Sequence, residues 1–143
     1  MTRLLGLVLL FACGTEPEYE IEIVLPPRAD TTEAVRLEMD VVRRGCDFVP
    51  TDGTAPLESE VVRPFAWAWG EETSVIGNLV PAPYGFTARI RREDCITLLA
   101  GCAAQEIEEG GSGLISIEVG PVAGGICLPP TLCEGVEGCV APE

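Results

Sequence analysis

Seven cysteines and no histidine bound the chemistry this chain of 143 residues can carry. Cys46, Cys95, Cys102, Cys127, Cys133 and Cys139 are spread through its body, while Cys13 stands alone behind an apolar N-terminal run. None belongs to a close C-x-x-C pair, the spacing that a zinc knuckle or a thioredoxin-like redox centre requires. No metal and no cofactor is therefore expected. Ser–His and Cys–His nucleophilic pairs are excluded for want of histidine, and the sequence has no G-x-S-x-G elbow. A glycine loop leading into a helix, which could cradle phosphate, is also missing. The chain reads as a non-enzyme, and its cysteines read as structural.

Disulfides are the chemistry that remains. Cys95 and Cys102 enclose ITLLAG directly behind an alternating segment. As the two sides of a hairpin they would face each other within bridging range, and we expect them to be bonded. Closing so short a loop contributes roughly 2.5 kcal/mol on a chain-entropy basis. The tail CLPPTLCEGVEGC spaces Cys127, Cys133 and Cys139 equally through a Pro- and Gly-rich stretch. Such a stretch buries too little apolar surface to order itself, so bridges must staple it. Together with Cys46 these cysteines make two further bridges, one of them from the tail to Cys46. Which tail cysteine that is stays open.

Carboxylates are plentiful, and the formal charge is −14 with all nine basic residues arginine. An acidic surface argues against nucleic acid as a partner, because phosphate neutralisation needs clustered cations. It also argues against electrostatic adhesion to anionic lipid. Glu16, Glu18, Glu20 and Glu22 alternate along one segment, the pattern of a solvated strand face. No D-x-D-x-D-G calcium loop is present. The basic run RIRR (Arg89, Arg91, Arg92) reads as an offset to acidic neighbouring strands. In FAWAW, Phe65, Trp67 and Trp69 share one face. They read as core-filling rings, with an exposed strip for carbohydrate or a protein partner as the functional alternative.

The elements that must position these groups follow from periodicity. After the apolar run LLGLVLLFA, which is too short for the ~20 residues that span a bilayer, residues 13–18 form a polar tether. YEIEIVL, AVRLEMDVV, YGFTARIRR and LISIEV alternate apolar and polar residues, the period of half-buried strands. LESEVVRPFAWAW is also strand-like, but Pro64 confines it to a sheet edge or splits it. ETSVIGNLVPAP gives a short strand ending in turn residues, and CITLLAGCAAQEIEE is ambiguous between helix and strand. We therefore expect an all-β fold over residues 19–120: an antiparallel β-sandwich of about seven strands, followed by a disulfide-stapled tail at 121–143.

Two resemblances extend this reading. Leu10, Phe11, Ala12 and Cys13 (LFAC), behind Arg3 and the apolar run, resemble the lipobox of bacterial lipoproteins. The resemblance implies a signal peptide over residues 1–12 cut between Ala12 and Cys13. It further implies diacylglycerol and palmitate-type acylation at Cys13, and a lipid-anchored protein of the bacterial cell envelope. Gly14 in place of aspartate favours the outer membrane within that family. Ordinary cleavage after Gly14, giving a secreted unlipidated domain, is the alternative. The odd cysteine count fits the first reading, since Cys13 is the one left over. Secondly, IGNLVPAPYGFTARI resembles the turn of prealbumin-like sandwiches, related to transthyretin and the carboxypeptidase regulatory domain, through Leu79, Pro81, Tyr84 and Phe86. An immunoglobulin-like topology fits the strand rhythm as well. The layout as a whole resembles small bacterial lipoproteins, and we expect a surface- or periplasm-facing lipoprotein whose sandwich is a non-catalytic binding or structural module.

Overall fold

The computed structural model describes residues 18–73 and 76–122, together with the backbone of two short strands in the tail. Alternation becomes strand where the sequence shows it: β1 Glu18–Val24, β2 Arg36–Arg43, β3 Val61–Ala68, β4 Ala82–Arg91 and β6 Ser112–Glu118. The ambiguous stretch resolves into β5 Thr97–Ile107, and β7 is the two-residue Gly120–Pro121. Seven strands thus build two facing sheets. No α-helix occurs among the described residues, only the 3₁₀ turn Glu58–Glu60.

The larger sheet is antiparallel, in the order β3-β2-β4-β5-β7, and the smaller pairs β1 with β6. That smaller pair runs parallel, Ile21 opposite Ile115 and Ile23 opposite Ile117. Its two strands lie far apart in sequence, so no hairpin dictates the antiparallel sense. Pro64, opposite Asp40, sits on the outermost strand β3, where its missing N–H costs no ladder bond. ETSVIGNLVPAP forms no separate strand among its described residues; Ile76 makes only a bridge to Tyr19, and Ala82 and Pro83 already belong to β4.

The core lies between the sheets. Tyr19, Ile21, Ile115 and Ile117 from the smaller sheet meet Leu37, Met39, Val41, Phe86 and Ile90 from the larger. Burying each such side chain contributes roughly 1.5–3 kcal/mol. The layers approach most closely at Gly101, where any β-carbon would overlap the Glu118 carbonyl. At the head of β4, buried Tyr84 donates its hydroxyl to the Val80 carbonyl (2.9 Å), closing the turn beneath Leu79. Phe65 and Trp67 stack in parallel, centroids 5.5 Å apart, and with Trp69 they pack half-buried on the rim of the core.

In the tail, β8 Leu132–Glu134 and β9 Gly138–Val140 pair antiparallel with Cys133 opposite Cys139 along the backbone. Ala12, Cys13 and Cys127, and with them the signal and the lipid attachment expected from the sequence, lie outside the described residues, as do the side chains of Cys133 and Cys139.

Candidate functional site

Strand alternation puts Glu38 and Asp40 of β2 on the face turned away from the core, together with Thr87, Arg89 and Arg91 of the adjacent β4. Register then sets Glu38 directly opposite Arg89, Arg36 opposite Arg91 and Asp40 opposite Thr87. Opposite charges facing across a strand pair attract, as RIRR suggested. The outcome goes further than a surface offset, because Glu38, Asp40, Thr87, Arg89 and Arg91 are buried. Arg89 Nη2 reaches Asp40 Oδ2 at 2.9 Å and Glu38 Oε2 at 3.2 Å. Arg91 Nη1 reaches the same Glu38 oxygen at 2.8 Å, and Arg36 Nε closes on Glu38 Oε1 at 3.3 Å.

The network also organises backbone. Arg91 donates through Nε (3.2 Å) and Nη2 (2.7 Å) to the carbonyl of Cys95, holding the β4–β5 turn. Thr87 Oγ1 accepts the Asp40 N–H at 3.1 Å, so the hydroxyl between the charges is itself satisfied. Removal from water raises the Asp40 carboxyl above the ordinary aspartate value, and the Glu38 charge adds to that rise. The Arg89 guanidinium opposes it without cancelling it.

Part of this face is roofed by residues 44–57, the connection from β2 toward β3. Three attachments press that strap onto the sheet. The Gly45 carbonyl lies over Gly85, leaving no room there for a side chain. Cys46 is disulfide-bonded to Cys102 of β5, their Cα atoms 5.9 Å apart. Thr97 Oγ1 donates to the Gly53 carbonyl at 3.0 Å. Within the strap Asp52 accepts from the Thr54 hydroxyl (2.7 Å) and N–H (3.0 Å), bonds that hold its carboxyl below the usual range. Arg44 pairs with Glu60 at 3.0 Å and lies over the Phe48 ring.

Between strap and sheet is a cavity of about 290 Å³. Its walls are mainly apolar, from Val49, Pro50 and Pro56 above and Ala100 and the Cys46–Cys102 bridge below. Among the described residues, Arg89 is the one charged residue that lines it. The Arg89 Nε is buried with no hydrogen-bond partner. Desolvating a cationic donor without satisfying it is costly, so this nitrogen weakens the cluster rather than adding to it.

The structure corrects the expected disulfide pairing. Cys102 bonds Cys46 rather than Cys95, and Cys95 is engaged in a disulfide of its own. ITLLAG is not a hairpin turn but the start of β5. Cys95 sits in the β4–β5 turn, while Cys102 lies five residues up the strand from Thr97, roughly 17 Å of extended chain. The two cannot face each other. The expected link from the tail to Cys46 falls because Cys46 is already bonded to Cys102. Glu18, Glu20 and Glu22 stay on the exposed face of β1, with Glu22 accepting from Ser116 Oγ at 2.9 Å, and are not brought into the site. Among the described residues no group of three or more His, Cys, Asp or Glu could hold a metal ion.

The strap cavity was not singled out by the sequence, although one signal for it was visible. Glu38 and Asp40 at alternate positions of one strand, and Arg89 and Arg91 at alternate positions of another, form complementary two-residue codes. No protein-family model, curated protein or solved structure matches this chain.

Proposed function

We propose that this protein is a lipid-anchored component of the bacterial cell envelope whose β-sandwich is a non-catalytic binding module. The observation that carries the reading is the cysteine chemistry. Cys46, Cys95 and Cys102, the three cysteines whose side chains are described, are all disulfide-bonded. Bonds of this kind form and persist outside the reducing cytosol. Export is what the segment before Cys13 supplies in the lipobox reading, and Cys13 is the cysteine that an even set of bridges leaves over. With several acyl chains, each buried methylene contributing about 0.8 kcal/mol, the anchor would be permanent on a cellular timescale. The short tether then holds the sandwich near the membrane, its strap cavity open to a ligand from the envelope space.

Expression of the full chain in a bacterial host tests the anchor. The wild type is expected in the detergent-extracted membrane fraction, with an N-terminal peptide whose mass includes acyl chains on Cys13. Cys13→Ser should lose both. A wild-type protein that is soluble without detergent and begins after Gly14 would refute lipid anchoring and establish the secreted alternative.

A further inference from the structure

We propose that the end of the sandwich next to the tether is a membrane-docking surface, where Phe48, Leu57 and Val80 enter the headgroup–acyl boundary of the bilayer that holds the Cys13 anchor. The proposal deepens the lipid-anchor reading and rests on it.

Register fixes which residues share that end. β2 and β5 finish there while β3 and β4 begin there, since Arg43 faces Tyr84, Val42 faces Val61 and Ile107 faces Ala82. Residues 108–111 turn the chain from Ile107 into Ser112 at the head of β6. β1 runs parallel to β6 with Glu18 opposite Ser112, and the Glu18 N–H donates to the Gly111 carbonyl at 3.0 Å. Glu18, the last residue of the tether, is therefore at this end.

The three most exposed large apolar side chains among the described residues stand at the same end: Val80 at 73 %, Leu57 at 72 % and Phe48 at 64 %. Each is placed there by a contact. The Val80 carbonyl accepts from the Tyr84 hydroxyl. The Leu57 carbonyl accepts from the N–H of Glu60, which directly precedes β3. Arg44, the residue after β2, pairs with Glu60 and lies over the Phe48 ring. Leu114, next in exposure, is two residues from the start of β6. Val24, Leu25 and Val35 at the opposite end are all less than half exposed. Scattered singly, such side chains need no explanation; gathered at one end they mark an interaction surface.

The tether identifies lipid as the occupant. Cys13 precedes Glu18 by five positions, at most about 17 Å of extended chain. An acylated Cys13 keeps this end within that reach of the bilayer. So short a leash raises the effective concentration of membrane at the surface, and a few side chains then suffice where an untethered protein would not bind. Their gain is the removal of apolar surface from water. Charge does not drive the contact, because the exposed Glu18, Asp47, Glu58 and Glu108 lie at the same end. A zwitterionic headgroup layer suits it better than an anionic one. Docked this way, the sandwich stands on end, with the β4–β5 turn farthest from the lipid.

The test uses the full chain, expressed in a bacterial host and reconstituted with its acyl chains into phosphatidylcholine nanodiscs. The discs contain a lipid spin-labelled near the top of its acyl chain, and peptide mass first establishes whether Cys13 is acylated. Paramagnetic relaxation should be strongest at the amides of Phe48, Leu57 and Val80, and roughly threefold or more weaker at Asp94 and Ile96. Combining Phe48→Ser, Leu57→Ser and Val80→Ser alters exposed side chains only and leaves the tether intact, which separates the surface from the leash. That variant should stay anchored while relaxation at the three positions falls roughly threefold. Equal profiles in wild type and variant would overturn the docking surface and leave the anchor standing. An unacylated Cys13 would overturn the anchor and the docking with it. Sedimentation of Cys13→Ser should show a monomer; self-association that the three serines abolish would assign the surface to a second copy and overturn the proposal.

Discussion

Arg89 Nη2 lies 2.9 Å from Asp40 Oδ2 and 3.2 Å from Glu38 Oε2, so a single buried nitrogen answers two carboxylates of the neighbouring strand. Sharing one donor leaves Asp40 incompletely compensated for its loss of water. Its carboxyl is accordingly raised by burial despite the adjacent cation. The native state therefore holds the Asp40 proton more tightly than the unfolded chain does.

The sign of the pH dependence follows. The stability gained by protonating Asp40 is fully present below the unfolded value, about 3.9, and is lost as pH rises through the higher native value. Asp40→Asn mimics the protonated side chain at every pH. In urea unfolding from pH 3.5 to 7.5, the stability of the wild type relative to Asp40→Asn should fall as pH rises. A relative stability that rises instead would mean that the ion pair depresses the Asp40 titration, contrary to the raised value argued above.

The disulfide gives the second prediction. Cys46 and Cys102 are 56 positions apart, so their bridge closes a long loop of the unfolded chain. Replacing both with serine should cost about 2–4 kcal/mol of unfolding free energy. The loss should also raise amide exchange across residues 44–57, since the strap loses its only covalent tie among the described residues. Non-reducing peptide mapping should recover Cys46 with Cys102. Recovery of Cys95 joined to Cys102 would reject the β5 register.

How far the sequence could have led is seen in β4. Tyr84, Phe86, Ala88 and Ile90 read as one buried face, and all four are buried. The opposite face reads as solvated because it carries Thr87, Arg89 and Arg91, yet it too is buried. Alternation reports that two faces differ in polarity; it does not report that the polar face meets a second polar set under a roof. That depends on the register of Glu38 against Arg89, and on a strap of coil whose residues carry no period. The β5 segment was obscured differently. Its stretch LLAGCAA is small and apolar on both sides, because Gly101 faces the smaller sheet while Cys102 faces the strap. With small apolar residues partly covered on both faces, the period-two signal vanishes, and the bridge partner of Cys102 could not be read.

Gly101 also provides the sharpest test of how the two sheets meet. A β-carbon on Gly101 would overlap the Glu118 carbonyl and press on the Val119 Cα. Both are backbone atoms, which cannot rotate aside as a side chain would, so Gly101→Ala must shift β5 against the end of β6. Overpacking of this kind typically costs about 1–3 kcal/mol, and that loss is expected in urea unfolding of Gly101→Ala. Gly120 provides the control, because a β-carbon there meets nothing within 4 Å. Gly120→Ala should stay within about 0.5 kcal/mol of the wild type. Because β5 carries Cys102, the shift in Gly101→Ala should also reach the strap, appearing as amide shift changes at Cys46 and Gly53 that Gly120→Ala lacks. Equal stability of the two variants would mean that the sheets are further apart at β5 than the Gly101–Glu118 contact requires.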